Sequence, residues 1–437
     1  MTKLKAWRLA PDRKPLILMG VRQTGKTYLL KEFGKAGFRQ CHIINFEEQE
    51  QARTLFDGNL EPKHLINNLR IYLKSDIDIN KDFVIFDEIQ ACPRALTSLK
   101  YFCEQMPELA LGSAGSLLGL HLNKESFPVG KVDLKYLHPM TFTEFLTGIG
   151  DVWAAQYLKD IHSDSIIPEA LHLQLWDRLK QYFICGGMPE VVTTFGKEEN
   201  NLLRALEAIR TKQHELITGY YADIAKHSGK VNAMHLDRTW RAIPRQLSAT
   251  HDSSTNRFKF KDIIPNINRY SQFINVIDWL DSAELSIKIP IVHHVEQPLL
   301  AYTKDNIFKL MMFDIGILGA LGGLSPESIL SYSYGTYKGY FAENFVAQQM
   351  IAQENKHLFN WQLDHSEIEF LYEHKGNIIP IEVKSGKTTR AKSLEKYIKK
   401  YDPKCSIIFS ANGLYKNEQK KILHLPLYLA DRLNEFL

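Results

Sequence analysis

Cysteine is scarce and unpatterned in this 437-residue chain. Its five cysteines, Cys41, Cys92, Cys103, Cys185 and Cys405, form no CxxC pair and no regular spacing. That excludes a disulfide framework and the usual structural zinc sites, and it points to a reducing compartment. Long apolar runs are lacking too. The opening stretch MTKLKAWRLAPDRKPLILMG has no extended apolar core of a signal peptide, and LMMFDIGILGALGGL, the most apolar internal stretch, is short and carries Asp314. A cytoplasmic location with no membrane partner is therefore expected. Internal repeats, low-complexity tracts and aromatic platforms of the RNA-binding kind are also missing.

What is present is an ordinary globular composition, 44% hydrophobic and 24% charged. At roughly 100–200 residues per domain, the length calls for several folded parts. The net charge of +4 is unevenly spread: residues 384–421 carry eleven Lys or Arg against three Asp or Glu, and the remainder is net acidic. A basic block of this kind is commonly a solvated helical face, and the other use of one is to track a phosphate backbone.

The first part alternates apolar runs with polar helical stretches: PLILM, TYLLKEFGKAG, CHIINFE, a helix near 61–74, DFVIFDE, a helix near 93–106, and LALGS. This is the rhythm of a parallel sheet with helices on both faces, in which strands such as FVIF are apolar throughout. Directly after PLILM stands GVRQTGKTYLL. Gly20, Gly25, Lys26 and Thr27 fit the pattern G-x-x-x-x-G-K-[ST] with a strand before and a helix after. Glycine lets backbone N–H groups approach phosphate oxygens, the helix N-terminus adds positive partial charge, Lys26 reaches the β and γ phosphates, and the Thr27 hydroxyl can ligate Mg²⁺. The expected nucleotide cradle is Gly20, Val21, Arg22, Gln23, Thr24, Gly25, Lys26, Thr27 and Tyr28, with ATP and Mg²⁺ as cofactors.

FVIFDE supplies the second half of such a site. Asp87 is the candidate second metal residue with Thr27, and Glu88 the candidate base that orients the attacking water. Ser113, ending LALGS, is a candidate sensor of the γ-phosphate, against the alternative of a plain turn serine.

Residues 139–230 read as mostly helical, a lid or linker interrupted by CGGMPE. Residues 231–330 contain two helical stretches, AMHLDRTWRAIPRQL and SQFINVIDWLDSAEL, followed by SIKIPIVHHVEQPLLAY. Two helices and then a β hairpin is the order of a winged helix. Residues 238–269 add seven Lys or Arg against two Asp, which favours a polyanionic partner such as DNA. From 331 onward come a helix, YFAENFVAQQMIAQ, two strands in EIEFLYEHKGNIIPIEVKSG, a helix and a strand. His293 and His294 would point to opposite faces of a strand, Trp240, Trp279 and Trp361 read as core, and Cys185 has no basic partner that would activate it.

In combination, PLILMGVRQTGKTYLLKEFG, VIFDEIQACPRAL, GKVDLKYLHPMTFTEFL, GGMPEVV, FKLMMFDIGIL, GYFAENFVAQQM and PIEVKSG resemble the AAA+-type ATPases of the AAA_14 group, whose chains end in a DUF4143 region. The resemblance implies an α/β fold: a P-loop NTPase core (1–138) with a parallel sheet, a helical lid (139–230), a winged helix (231–330) and a restriction-endonuclease-like α/β domain of the PD-(D/E)xK kind (331–437). Such proteins commonly show Gly-Arg where this chain has Gly130-Lys131, so Lys131 is the counterpart of a phosphate-stabilising arginine. They often show Thr-Gly-Ser where this chain has Leu111-Gly112-Ser113.

Spacing alone also draws attention to PIEVKSG. Strand alternation puts Glu382 and Lys384 on one face, and Glu369 lies on the strand before. With Glu343 from the preceding helix, these carboxylates could hold Mg²⁺ or Mn²⁺ while Lys384 activates a water for phosphodiester hydrolysis. The competing reading is a set of structural ion pairs. Two functions are thus expected in competition: an ATP hydrolase coupling nucleotide state to a winged helix and a nuclease-like end, on DNA, or a nucleotide-dependent switch with an inactive nuclease-like domain, acting on a protein partner or within a homo-oligomer.

Overall fold

Four apolar residues, Leu16–Met19, form β1, the strand around which the first part of the molecule is built. The structure is a computed structural model that describes residues 1–116, 127–198, 201–248, 257–353 and 357–437. Of the basic segment 238–269, residues 249–256 therefore lie outside the described residues. The chain forms two units, Met1–His138 and Pro139–Leu437.

In the first unit, β1 joins β2 (Cys41–Asn45), β3 (Phe83–Asp87), β4 (Ala110–Ala114) and β5 (Asp133–Tyr136) in the order β2-β3-β4-β1-β5. Every neighbouring pair is parallel. One face of the sheet, with Leu16, Leu18 and Ile85, is covered by Leu30 and Phe33 of the helix Lys26–Gly37. Ile17, Val84 and Phe86 on the other face pack with Leu65, Leu69, Leu99 and Phe102 from the helices Pro62–Leu73 and Pro93–Gln105. Both of those helices open on proline, whose missing N–H costs nothing in a first turn. Burial on both faces is why the strands are apolar without alternation. The short β5 is the exception, half exposed along an edge.

The second unit begins with helices, including Phe142–Gly148, Glu169–Cys185, Pro189–Glu198 and Leu202–Ser228. Lys230–Ser248 and Tyr270–Ser282 follow. An eight-stranded sheet completes it, in the order β12-β13-β11-β10-β9-β8-β6-β7. Its strands are β6 (Ser286–Val292), β7 (Phe308–Met312), β8 (Leu358–Leu363), β9 (Ser366–His374), β10 (Asn377–Val383), β11 (Ser406–Ser410), β12 (Tyr415–Asn417) and β13 (Ile422–Pro426). The helix Tyr337–Ala352 precedes β8, and Lys392–Tyr401 connects β10 to β11, which run parallel.

The antiparallel pair β6 and β7 comes after two helices, as a wing would, yet β6 also pairs in parallel with β8 through Ile291 and Val292. The hairpin is therefore the edge of the C-terminal sheet, and the expected boundary at 330/331 falls within one sheet. The reason is that β6 and β8 bury Val292, Phe359 and Trp361 in one apolar cluster.

A buried aspartate ties helices to this sheet. Asp314 accepts from Gly187 N at 2.7 Å, Ile317 N at 3.0 Å and Gln348 Nε2 at 3.3 Å. A side chain at Gly187 would place its Cβ 2.2 Å from the Met140 carbonyl oxygen, so only glycine fits this turn. Burial pushes the Asp314 carboxyl up to about 6, against the backbone hydrogen bonds that favour its charge. This explains GGMPEVV and FDIGIL as two halves of one structural clasp. Trp240 and Trp361 are fully buried and Trp279 nearly so, and the Trp240 indole donates to Leu285 O at 3.0 Å. Cys185 is buried, and burial pushes its thiol up, away from reactivity.

Candidate functional site

β1 and β3 end at the same edge of the first sheet, because they are parallel and separated only by β4. The chain leaves β1 through Gly20, whose φ is +144°. A Cβ there would lie 2.2 Å from Leu137 O. At the far end of the loop Gly25, with φ +88°, begins the helix Lys26–Gly37. Gln23 also sits at positive φ, +65°, a conformation that non-glycine residues adopt rarely and that recurs where loops are shaped for binding.

The loop is closed by its own side chains. Lys26 is buried and donates from Nζ to Gly20 O at 2.8 Å and Val21 O at 2.7 Å, and Thr24 Oγ1 donates to Val21 O at 2.8 Å. Arg22 reaches Glu47 at 3.2 Å. Tyr28 is 71% exposed on the first turn of the helix, so its ring is accessible.

The two halves of the site meet at Thr27 Oγ1, which donates to Asp87 Oδ1 at 2.7 Å. Asn45, the last residue of β2, donates to Asp87 Oδ2 at 3.3 Å. Glu88 follows with φ +49° and accepts from Gln90 Nε2 at 2.5 Å. Burial raises both carboxyls above the ordinary range; for Asp87 the Thr27 hydroxyl opposes it, and for Glu88 the Gln90 amide opposes it while Asp87 adds to it. Thr27, Lys31, Asn45, Glu48, Asp87 and Glu88 line an open polar cleft. A hydroxyl and a carboxylate in contact, with neutral partners only at the carboxylate's other oxygen, fit a hard divalent cation bound together with phosphate. Asn45 and Gln90 were not found from the sequence. An Asn ending the strand beside FVIFDE was the available signal.

Two expected residues stand elsewhere. Ser113 is in register with Phe86 and Ile17, so alternation turns it to the Phe86 face and away from Asp87. It is fully buried, and no hydrogen bond joins it to Thr27, Asp87 or Glu88. Lys131 precedes β5, whose start is level with Leu16 at the beginning of β1. It therefore lies toward the opposite edge of the sheet from Gly20, where its Nζ pairs with Glu104 at 2.9 Å. The structure does not bring Lys131 to this chain's own phosphate loop.

In the second unit, the four residues expected to form a nuclease-like site do converge. Lys384 Nζ lies 2.5 Å from Glu382 Oε1 and 4.0 Å from Glu369 Oε1. Three further residues enter that the sequence does not single out. Lys309 of β7, fully buried, places Nζ 2.8 Å from Glu343 Oε2 and 3.0 Å from Glu367 Oε1. Asn360 Nδ2 donates to the same Glu367 oxygen at 2.8 Å. A lysine inside the apolar strand FKLMM was the visible hint. Burial pushes Glu369 well up, with Glu382 adding to the shift, and also raises Glu343 against the pull of Lys309. The acids hold Lys309 in its charged form despite its burial.

As arranged, the Lys309 ammonium engages Glu343 and Glu367 and the Lys384 ammonium one oxygen of Glu382, whose Oε2 is buried without a hydrogen-bond partner. Among the described residues, no set of three or more His, Cys, Asp or Glu side chains is arranged to hold a metal ion. Nor is any described helix long and apolar enough to cross a membrane.

Comparison with known proteins gives three family matches. Residues 12–146 match AAA_14, an AAA domain; residues 177–328 match DUF8612 and residues 338–428 match DUF4143, both domains of unknown function. No curated protein matches the chain. Solved structures with some likeness include C. elegans PCH-2 (14% identity, 48% of this chain and 63% of that one, TM-score 0.30). Others are Drosophila ORC bound to DNA (12%, 77% and 95%, 0.30) and a variant of Thermotoga maritima RuvB (13%, 66% and 86%, 0.29). The chain thus spans less than two thirds of the PCH-2 chain.

Proposed function

We propose that this chain, which belongs to the AAA+-type P-loop ATPases marked by AAA_14 and DUF4143 regions, is an ATP hydrolase that couples nucleotide state to its C-terminal unit. The hydrogen bond from Thr27 to Asp87 carries the reading, because it joins the end of the phosphate loop to the end of β3 at the point where a nucleotide-bound cation would need both.

Backbone N–H groups of residues 20–28 would cradle the phosphates at the helix N-terminus. Lys26, now donating to two loop carbonyls, would turn its ammonium to the β and γ phosphates. Thr27 and Asp87 would hold Mg²⁺, which when bound neutralises charge developing between the phosphates. Glu88 would accept a hydrogen bond from the attacking water and orient it in line. Its raised carboxyl gives turnover an acidic limb: activity falls as pH drops and Glu88 protonates.

Steady-state Mg-dependent hydrolysis tests this directly. Glu88→Gln is expected to keep ATP binding and to lose turnover by about 100-fold or more, whereas Lys26→Ala is expected to lose binding itself. Unchanged ATP affinity in Lys26→Ala would rule out the site.

For the C-terminal unit the position of Lys309 favours the second of the two competing readings, a nuclease-like domain of structural rather than catalytic use. Its partner would then be bound, not cut: DNA through the helical and winged segment, with a homo-oligomer or protein partner as the other recipients of the nucleotide signal. A plasmid-nicking assay with Mn²⁺ distinguishes them, since cutting that disappears in Glu382→Ala would restore the nuclease reading. A cytoplasmic setting is part of the same proposal.

A further inference from the structure

The helix Lys230–Ser248 turns one face inward and lines up arginines on the other. Leu236, Trp240, Ile243 and Leu247 are buried. Arg238, Arg241 and Arg245 are exposed, and their i, i+3, i+7 spacing keeps them within one narrow arc. Together they form one wall of an open cleft whose other wall is Asp262, Ile263 and Pro265.

The cleft is built rather than accidental. Arg241 is held by Asp237, to which Nε donates at 2.9 Å, and its guanidinium lies 4.2 Å over the Tyr221 ring. Gln246 pins the following segment with two hydrogen bonds, donating to Lys259 O at 2.8 Å and accepting from Lys259 N at 2.9 Å. This brings a segment carrying the exposed Lys259 and Lys261 alongside the helix.

The next helix, Tyr270–Ser282, has the opposite character. In a helix–helix–hairpin order it is the second helix that would enter a nucleic-acid groove. Its exposed residues are Ser271, Gln272, Ile274, Asn275, Asp278, Asp281 and Ser282, which include two acids and no cation.

We propose that the stripe Arg238, Arg241 and Arg245 is a binding surface for the phosphodiester backbone of duplex DNA, and that the helix Tyr270–Ser282 does not read bases. The proposal rests on the reading that the C-terminal unit binds DNA, and it assigns that binding to a surface. Seven residues of helix rise about 10 Å, which spans about three phosphates along one strand at roughly 3.4 Å of axis each. An open cleft with arginines along one wall suits a continuous anionic chain better than a single enclosed phosphate. Contacts of this kind position a protein on DNA without reading sequence.

The test is fluorescence anisotropy of a labelled duplex with the full chain, as a function of salt. In the triple variant R238A/R241A/R245A, affinity at low salt is expected to fall at least about tenfold, and the slope of log affinity against log salt to shrink by about 2.7. The corresponding triple Arg→Lys variant should keep most of the slope. Ser271→Ala with Asn275→Ala, two exposed positions of the second helix that leave its capping residue Gln272 in place, should change neither quantity. Unchanged affinity and slope in the arginine-to-alanine variant would overturn the proposal, as would loss of binding in the Ser271/Asn275 variant. Absence of duplex binding by the wild-type chain would overturn it too. ATP affinity measured on the same preparations reports on the nucleotide site separately, so a failure here leaves the ATPase reading standing.

Discussion

Both units end buried strands on carboxylates, but they surround those carboxylates differently. At the end of β3, Asp87 is held by the hydroxyl of Thr27 and the amide of Asn45, and Glu88 by the amide of Gln90. In the second unit, Glu343 of the helix Tyr337–Ala352 and Glu367 of β9 share the ammonium of Lys309, and Glu382 of β10 takes that of Lys384. Neutral donors satisfy hydrogen bonds without cancelling charge, so the first arrangement keeps an attraction for a cation. The two ammonium groups of Lys309 and Lys384 offset only part of the charge of Glu343, Glu367, Glu369 and Glu382, and Glu382 Oε2 stays buried without a hydrogen-bond partner. The lesson is that a cluster of acids at strand ends is read by its partners as much as by its members.

The largest expected effect strikes the partly neutralised cluster. Lys309→Met would leave the buried Glu343 without its counter-charge, at a cost of about 3–5 kcal/mol, read from the urea midpoint. Mn²⁺ should then recover part of the loss in the variant and none in the wild type. A variant as stable as the parent would break the comparison.

Asp314 offers a third case, a buried carboxylate held by amides alone. Its folded value of about 6 lies above the roughly 3.9 of an unfolded aspartate. Between those values the folded chain holds the extra proton, so this group's contribution to stability grows as pH falls from about 6 to about 4 and is lost as pH rises back through 6. The change amounts to as much as about 3 kcal/mol. Subtracting the pH profile of Asp314→Asn from that of the wild type should isolate it, and a flat difference would show that the carboxyl titrates normally.

At the nucleotide end, Thr27→Val removes the hydroxyl while keeping the shape. Mg²⁺ should strengthen ATP binding less in this variant, by about 1.5–3 kcal/mol, the worth of a hydrogen bond or ligand to a charged partner. The comparison sharpens if ATP binding without Mg²⁺ is unaffected. The smallest effect belongs to Lys131→Ala, for which ATP affinity of the chain should be unchanged, since Lys131 pairs with Glu104 toward the other edge of the sheet.

The elements that the sequence shows plainly are those whose signals are local. The phosphate loop lies within residues 20–28, bounded by β1 and its helix, and FVIF reads as a strand because burial on both faces demands a continuous apolar run. β5 is less legible, being four residues long with alternating exposure along a sheet edge. β6 and β7 follow two helices in the order of a wing, but nothing local in their sequence shows that β6 pairs with β8, because β8 lies far along the chain. Ser113 was placed by strand position alone, and only the register with Phe86 and Ile17 shows which way it faces.

By itself, then, the sequence determined that a glycine-bounded phosphate loop and an acidic strand end exist, since each is a pattern of neighbours within about one element, and that Glu343, Glu369 and Glu382 fall on three different elements. Only the tertiary structure decided what each acid meets. Lys309 reaches Glu343 and Glu367 from a strand some tens of residues away, and Asp314 meets Gly187 across a still longer separation. In both cases folding removes the charges from water, and the partner that compensates them is whichever one the packing brings within a few ångströms.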